Sequence, residues 1–496
     1  MTQQGHDRLL NLIDGEWAES ESHQVIGNIN PADARVRLGE VVDSTAQDTL
    51  RAIDAAKRAF TSWRKVPAPK RGDMVLEAMR ILLQRKEAIA RAMTLEEGKT
   101  YAESLGEVAK SAHVLEFMAG EALRLNGSTM PSEMPRNFAY TVRSPLGVVG
   151  LITPWNFPIC IPAWKIAPAL IAGNTVVFKP SPLTPWTAKM IVEIFQEAGV
   201  PPGVLNLVHG GVEVGQTIVE HPDVRALSFT GSNAVGTKLY EAGARLLKKV
   251  QCEMGGKNPV IVLEDADLDL AATATVQGAF GSTGQRCTAT SRAIVIDEVA
   301  DAFIERVYAL AQRLKVGPGL APGTEVGPSV SEAQMSKVLA YHAIAKDEGH
   351  RRVLGGERVL DGDLAHGFFT APTIYDRVSA GSRIGQEEIF GPVLSIIRVK
   401  DWPHAIEAAN SVAYGLSSSV FTRDIGRCME YVDEIETGML HVNSPTVGGE
   451  AQLPFGGVKA TGVGQREMGP TAIDFFSEWK TVYIDYTGQK RESKIY

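Results

Sequence analysis

Apolar residues along this 496-residue chain follow two rhythms. After the short strand-like LLNLIDGEW, Leu50, Ile53, Ala56 and Phe60 recur at three- and four-residue steps and line one face of a helix beginning near Ser44. Val75, Met79, Leu82 and Ile89 predict a second helix, and residues 102–125 a third. A strand is expected over residues 138–143, and there the rhythm changes to short apolar runs punctuated by glycine and proline. GVVGLI, NTVVFKP, VLNLVHG and VRALSFTGS read as strands, with helices between them near 163–172, 184–198 and 212–220. Strands this apolar, alternating with helices, predict a parallel sheet covered on both faces. In such sheets ligands bind at the carboxyl ends of the strands, which gives weight to polar residues found there.

The alternation resumes with NPVIVLEDADLDLAATATVQGAF, RAIVIDE and a helix near 300–314. Past the connector GPGLAPGTEVGP it continues with LSIIRV and a helix over 402–410, so a second α/β domain is expected. The β-prone TVYIDY near the end reads as an edge strand, the kind often paired with another subunit.

A chain this long divides into two or three domains. Hydrophobic residues at 44% and charged residues at 22% are ordinary for a globular protein. The formal net charge of -8 leaves no basic footprint for nucleic acid or anionic membrane, so the expected partner is a small molecule. Cys160, Cys252, Cys287 and Cys428 form no C-x-x-C pair, which points away from disulfides and zinc and toward a reducing compartment. The opening MTQQGHDRLLNLIDGEW has no signal-peptide pattern, so a cytoplasmic location is expected. Residues 145–164 carry no charge over a membrane-spanning length, but Pro145, Pro154, Pro158, Pro162 and Asn156 favour buried strand and loop.

Cys287 stands in GSTGQRCTATSR, among small polar residues that suit a reactive thiol, although a lone cysteine is more often a small core residue. FTGSNAVGTK has its Lys238 after Thr237, the reverse of a P-loop, and no G-x-G-x-x-G follows a strand. What remains is a glycine-serine turn at a helix start, suited to a pyrophosphate or simply capped by Ser232. DADLDL lacks the glycine and glutamate of a calcium loop and reads as a helix start, and no histidine spacing supports a metal. Glu253, in QCEMGGKNP, is a strand-end carboxylate that could pair with Lys257. Asn156, in TPWNFP, has an amide that could serve an oxyanion or only a turn. EEIFGP sets a carboxylate and a ring at a turn, and PFGG brings Phe455 close to backbone.

In this order, TPWNFP, FTGS, EMGGK, GQRC, EEIFGP and PFGG closely resemble the aldehyde dehydrogenase superfamily over nearly the whole chain. GSTGQRCTATSR and EMGGKNPVIV look most like its α-ketoglutaric semialdehyde dehydrogenase group. The resemblance implies an α/β fold with two parallel-sheet domains and a small β oligomerisation domain. Residues 1–121 and 145–254 would bind NAD or NADP, 255–452 would be catalytic, and 122–144 with 473–496 would bridge subunits of a homodimer or homotetramer. It implies Cys287 as nucleophile through a thiohemiacetal and a thioester, Asn156 and the Cys287 N–H as oxyanion donors, Glu253 as base, and Lys165 as a positioning group. The presence of Glu253 implies hydrolysis of the thioester and not transfer to coenzyme A. For the cofactor it implies Lys179 at the adenosine ribose, Ile152 and Trp155 along the cleft, Gly231 and Ser232 at the pyrophosphate, and Glu388 with Phe390 at the nicotinamide ribose.

Two departures matter. Pro182 stands where NAD-selective relatives carry a ribose-binding glutamate, which removes a repulsion against a 2′-phosphate and leaves Lys179 and Ser181 as partners for it. Trp164 stands before Lys165 where succinic semialdehyde enzymes carry arginine, which counts against that substrate. Arg292 is expected to be structural. The expected substrate is a semialdehyde acid, with a general aliphatic or aromatic aldehyde as the alternative. A non-catalytic scaffold and a nicotinamide-free cysteine hydrolase are remoter readings.

Overall fold

The computed structural model describes residues 8–488, and the statements below concern those residues. The opening heptapeptide and the last eight residues of the expected bridging segment therefore lie outside it.

The strands that read as uninterrupted apolar runs are buried along their length, as in Thr175–Lys179 and Asn258–Val262. A strand buried on both faces needs cover on both, and a parallel sheet under helices supplies it. Two such sheets form. In the eight-stranded one, Lys249–Glu253, Val224–Thr230, Val148–Ile152, Thr175–Lys179 and Leu205–Leu207 run parallel in that spatial order. Short antiparallel strands close its edges: Asn11–Ile13 with Glu16–Ala18 on one side and Gly462–Val463 on the other. In the seven-stranded sheet, Thr373–Asp376, Val393–Val399, Thr290–Ile296, Asn258–Val262, Ser417–Phe421 and Met439–Val442 are parallel, with Arg351–Leu354 antiparallel at one edge.

The third unit pairs Ser477–Asp485 with Asn137–Pro145 over nine residue pairs, from Ser477 opposite Pro145 to Asp485 opposite Asn137. The tail is an edge strand in this three-stranded sheet, with Trp479 and Tyr483 exposed. No described helix is long and apolar enough to cross a membrane. The charge-free stretch is instead the strand Val148–Ile152, a loop, and the start of the helix Cys160–Ala172.

One helical expectation divides. The second helix is two, Ala68–Gln84 and Lys86–Glu97, meeting at Arg85 with φ -98° and ψ 8°. Val75, Leu82 and Ile89 are all fully buried, so the apolar rhythm runs through a break that neither glycine nor proline marks. The helix Lys86–Glu97 ends at Gly98, whose φ of 100° is the left-handed turn that glycine adopts without a side-chain clash. Thr100 and Glu103 then form a capping box for the helix Tyr101–Glu121. DADLDL starts a helix as expected, with the Asp267 side chain accepting from the Leu270 N–H.

Candidate active site

The carboxyl ends of the first sheet's strands face the loop that carries Cys287, and a cleft of about 660 Å³ lies between them. Its lining includes Trp155, Asn156, Gly231, Ser232, Cys287, Glu388 and Phe390. Seven residues singled out by motif, from four separate segments, thus meet in one space.

The cysteine loop is strained and heavily tethered. Ser282 and Thr283 sit at φ 49° and 57°, a left-handed conformation that costs roughly 1–3 kcal/mol at a non-glycine residue. Glu103 accepts from the Ser282 N–H at 2.6 Å and pairs with Arg286 at 3.3 Å, while Thr283 Oγ1 donates to the Gly327 carbonyl at 3.0 Å. Gln285 is buried, accepting from the Val330 N–H and donating to the Pro328 carbonyl. Past the cysteine, Asn258 Nδ2 donates to the carbonyls of Cys287 and Ala289, both at 2.8 Å, and Thr446 Oγ1 donates to Thr288 at 2.7 Å. At about 1 kcal/mol per hydrogen bond, these tethers together exceed the strain.

Those bonds correct the expectation of a polar thiol. The polar neighbours hold the loop, and the half-buried Cys287 packs beside the apolar core. Burial pushes its thiol up to about 12, and the nearby carboxylates of Glu388, Glu253 and Glu467 add to the shift. The resting group is a neutral thiol, so nucleophilic attack requires a base.

Asn156, 3% exposed, donates through Nδ2 to the Gln285 carbonyl at 3.0 Å. One of its two amide hydrogens is thereby tied to the cysteine loop, and the other remains for the cleft. Glu253 ends the strand Lys249–Glu253, and one of its carboxylate oxygens is buried without a hydrogen-bond partner. Burial first, and then the Glu467 charge, raise its pKa well above 4.5. The alternative pairing with Lys257 does not form, since the Lys257 amine is itself buried and unpartnered. Gly456 is required beside it, because a Cβ there would run into the Glu253 carboxylate.

Lys165, 1% exposed, donates to Ser228 Oγ at 2.8 Å and forms an ion pair with Glu467. Glu467 stood in no motif. The signal for it was indirect: a lysine at the end of a charge-free, buried run needs a counter-charge. Phe455 exchanges both backbone hydrogen bonds with Glu467, so the PFGG turn carries this carboxylate into place while its ring stacks 5.2 Å from Trp164.

On the cofactor side, Ser232 occupies the N-cap position of the helix Asn233–Arg245, yet its side chain makes no capping bond. The hydroxyl and the N–H groups of Asn233 and Ala234 are left to meet an anion, while Val235 donates to the Ser232 carbonyl. Glu388 accepts from the Gly256 N–H at 2.9 Å, and burial raises its pKa. Phe390, at φ 59°, meets Trp155 edge to face at 5.5 Å. Ile152 and Lys179 end neighbouring strands in register, outside the cleft lining. Burial lowers the Lys179 pKa to about 8, and its amine donates only to the Pro180 carbonyl. Ser181 is buried close by, accepting from the Leu183 N–H at 3.2 Å.

Gln334 and Lys337 also line the cleft, and Gln334 donates to the Phe390 carbonyl at 2.8 Å. Both lie on the helix Glu332–Asp347, beyond the Gly/Pro connector, where no motif pointed. Arg292 is fully buried and donates to the carbonyls of Lys257, Ala408 and Ala409, a structural clamp as expected. Among the described residues no cluster of His, Cys, Asp and Glu could hold a metal ion.

A model of the aldehyde dehydrogenase family matches residues 17–482. The alpha-ketoglutaric semialdehyde dehydrogenase of Bacillus subtilis (strain 168) is 45% identical, over 96% of this chain and 98% of that protein. Among solved structures, an E. coli NADP-dependent enzyme is 37% identical with a TM-score of 0.93, covering 96% of this chain and 98% of the other. Betaine aldehyde dehydrogenase from Staphylococcus aureus, in complex with NAD+, is 35% identical with a TM-score of 0.95, covering 97% and 95%.

Proposed function

This chain belongs to the aldehyde dehydrogenase family and is an NAD(P)-dependent oxidoreductase that turns an aldehyde into its acid; from that premise we propose that Cys287 is its nucleophile and α-ketoglutaric semialdehyde its substrate. The observation that carries the reading is the meeting of Cys287 with an uncommitted Asn156 amide hydrogen in one cleft lining, with Glu253, one of whose carboxylate oxygens is buried without a partner, close enough to act on the thiol. Glu253 takes the thiol proton as sulfur bonds the aldehyde carbon. The carbonyl oxygen becomes an oxyanion held by the Asn156 amide and the Cys287 N–H. After the thioester forms, Glu253 activates the water that releases the acid, its raised pKa suiting a group that both takes and returns a proton. Lys165, paired with Glu467, fixes that side of the cleft.

The cofactor fits the residues present. Gly231, the free Ser232 hydroxyl and the start of the helix Asn233–Arg245 would hold a pyrophosphate, Glu388 and Phe390 the nicotinamide ribose, and Lys179 the adenosine ribose, with Ile152 and Trp155 along the cleft. When bound, the nicotinamide supplies the hydride acceptor that the oxidation requires. With Pro182 in place of a carboxylate, and Lys179 and Ser181 beside it, both NAD and NADP are used.

The substrate assignment rests on the similarity to the Bacillus subtilis enzyme together with Trp164 at the position before Lys165. The division into 1–121 with 145–254, 255–452, and 122–144 with 473–496 belongs to the same reading. So do a homodimer or homotetramer built on the exposed edge of Ser477–Asp485 and a cytoplasmic location.

The test follows reduced nicotinamide absorbance on adding α-ketoglutaric semialdehyde and NAD. Cys287→Ala should abolish the signal while leaving cofactor binding intact. Retained turnover in that variant would remove the nucleophile assignment.

A further inference from the structure

One buried ionic cluster lies outside the groups assigned above. Lys99 and Glu107 are 1% and 3% exposed, and Lys99 Nζ stands 2.7 Å from Glu107 Oε2. Lys99 follows the left-handed Gly98 turn, and Glu107 is on the helix Tyr101–Glu121. Neither segment lines the cleft.

Their remaining bonds converge on one stretch of backbone. Lys99 Nζ donates to the Asn156 carbonyl at 2.6 Å and lies 4.2 Å from the centre of the Phe157 ring. The other Glu107 oxygen accepts from the N–H groups of Ile159 and Cys160, at 2.9 and 3.0 Å. Apart from Glu97, 4.0 Å from the amine, the two side chains direct their charge at residues 156–160. The same residues hold the Asn156 amide at one end and start the helix bearing Lys165 at the other.

A buried ion pair contributes little to stability compared with apolar residues of the same volume, because desolvation offsets the attraction. Its charged hydrogen bonds do fix backbone geometry more firmly than neutral ones. An oxyanion donor is the kind of group that needs such fixing, since a displacement of about 1 Å costs on the order of a hundredfold in rate. We propose that Lys99 and Glu107 are positioning residues, which clamp the 156–160 backbone so that the Asn156 amide meets the oxyanion formed at Cys287. The proposal rests on the reading of Cys287 and Asn156 given above.

The experiment measures the burst of reduced cofactor on rapid mixing of enzyme, NAD and α-ketoglutaric semialdehyde. It compares the unmodified chain with Asn156→Ala, Lys99→Met, Glu107→Gln and the double variant Asn156→Ala/Lys99→Met. Asn156→Ala should slow the burst ~10²–10³-fold, the loss typical of one oxyanion donor. Lys99→Met and Glu107→Gln should each slow it about tenfold or more. The double variant should be no slower than Asn156→Ala, because Lys99 acts only through that amide. Alkylation of Cys287 by iodoacetamide needs no oxyanion donor, and its rate and the NAD dissociation constant should stay within about twofold throughout.

A normal burst in folded Glu107→Gln, which leaves Lys99 beside Glu97, would overturn the clamp. Additive losses in the double variant would also overturn it. Failure of both Lys99→Met and Glu107→Gln to give folded protein would make the pair an element of the fold and equally end the proposal. If Asn156→Ala itself keeps a normal burst, the fault lies in the functional reading on which the clamp depends.

Discussion

The two sides of Cys287 are built on opposite principles. The loop that carries it is fully committed: Ser282, Thr283 and Gln285 before it, and Thr288 and Ala289 after it, are each tied to another element. The side that carries Glu253 and Glu467 is charge-dense and undercommitted. Glu253 and Glu467 each keep one buried carboxylate oxygen without a partner, and a single lysine, Lys165, is paired with the latter. A loop that must present sulfur at a fixed point benefits from full satisfaction. A carboxylate that must change protonation benefits from incomplete satisfaction, since a carboxylate accepting several hydrogen bonds would be held ionised.

The sharpest way to break this contrast is at Glu253. Glu253→Gln should lower steady-state turnover about 10²–10⁴-fold, the range for loss of general base catalysis, and should also slow the burst of reduced cofactor, because Glu253 takes the thiol proton before hydride leaves. A loss of burst equal to the loss of turnover would place Glu253 before hydride transfer only. In the unmodified enzyme the deacylation rate should rise with pH, about tenfold per unit, until Glu253 ionises. Its pKa is raised in the fold, so the folded state binds the extra proton and Glu253 subtracts stability as pH climbs from about 4.5 toward the raised value. Thermal melts of Glu253→Gln should accordingly show less loss over that interval than the unmodified chain.

Next in size is Glu467→Gln, which leaves Lys165 buried without its counter-charge and should destabilise the fold by about 3 kcal/mol, read from denaturant unfolding. Lys165→Met/Glu467→Gln together should recover most of that loss but not the activity, separating charge balance from function. On the committed side, Asn258→Ala removes the donor to two buried carbonyls and should cost about 2 kcal/mol, with Cys287 alkylated at an altered rate. The smallest expected effect is Ser228→Ala, about 1 kcal/mol or less, because Lys165 keeps Glu467. A larger activity loss in Ser228→Ala than in Glu467→Gln would reverse the ranking of the two Lys165 partners.

The preference for two cofactors can be checked independently. Steady-state kinetics with NAD and NADP should give kcat/KM values within a thousandfold of each other, and a wider gap would mean that Pro182 does not relieve discrimination. Introducing a carboxylate by Pro182→Glu should then weaken NADP selectively.

What could be read in the chain alone followed from local periodicity and from residues whose chemistry is unusual in context. Fully apolar runs between helices gave the two parallel sheets, and the strand-end positions of Glu253, Gly231 and Lys179, with Asn156 in the loop after Val148–Ile152, followed from them. Pro145, Pro154 and Pro158 fall in the strand and loop before the helix Cys160–Ala172, whereas Pro162 sits in its first turn, where proline is tolerated. The break at Arg85 was illegible, since the buried apolar rhythm crosses it unchanged.

The tertiary structure decided everything that depends on a partner distant in sequence. Glu467 lies 302 residues from the lysine it neutralises, and Glu107 lies 52 and 53 residues from the two N–H groups it accepts. Neither residue is unusual where it stands; each matters because burial removes water and leaves its charge with the few partners that the fold supplies. The same reason governs Cys287. Composition suggested a polar loop and a reactive thiol; packing tied the polar atoms to neighbouring elements and left the sulfur among apolar and acidic neighbours. Residue order determined which groups exist and which ends of which strands carry them. Only the packed fold determined which of them are ionised, which are satisfied, and which remain free to react.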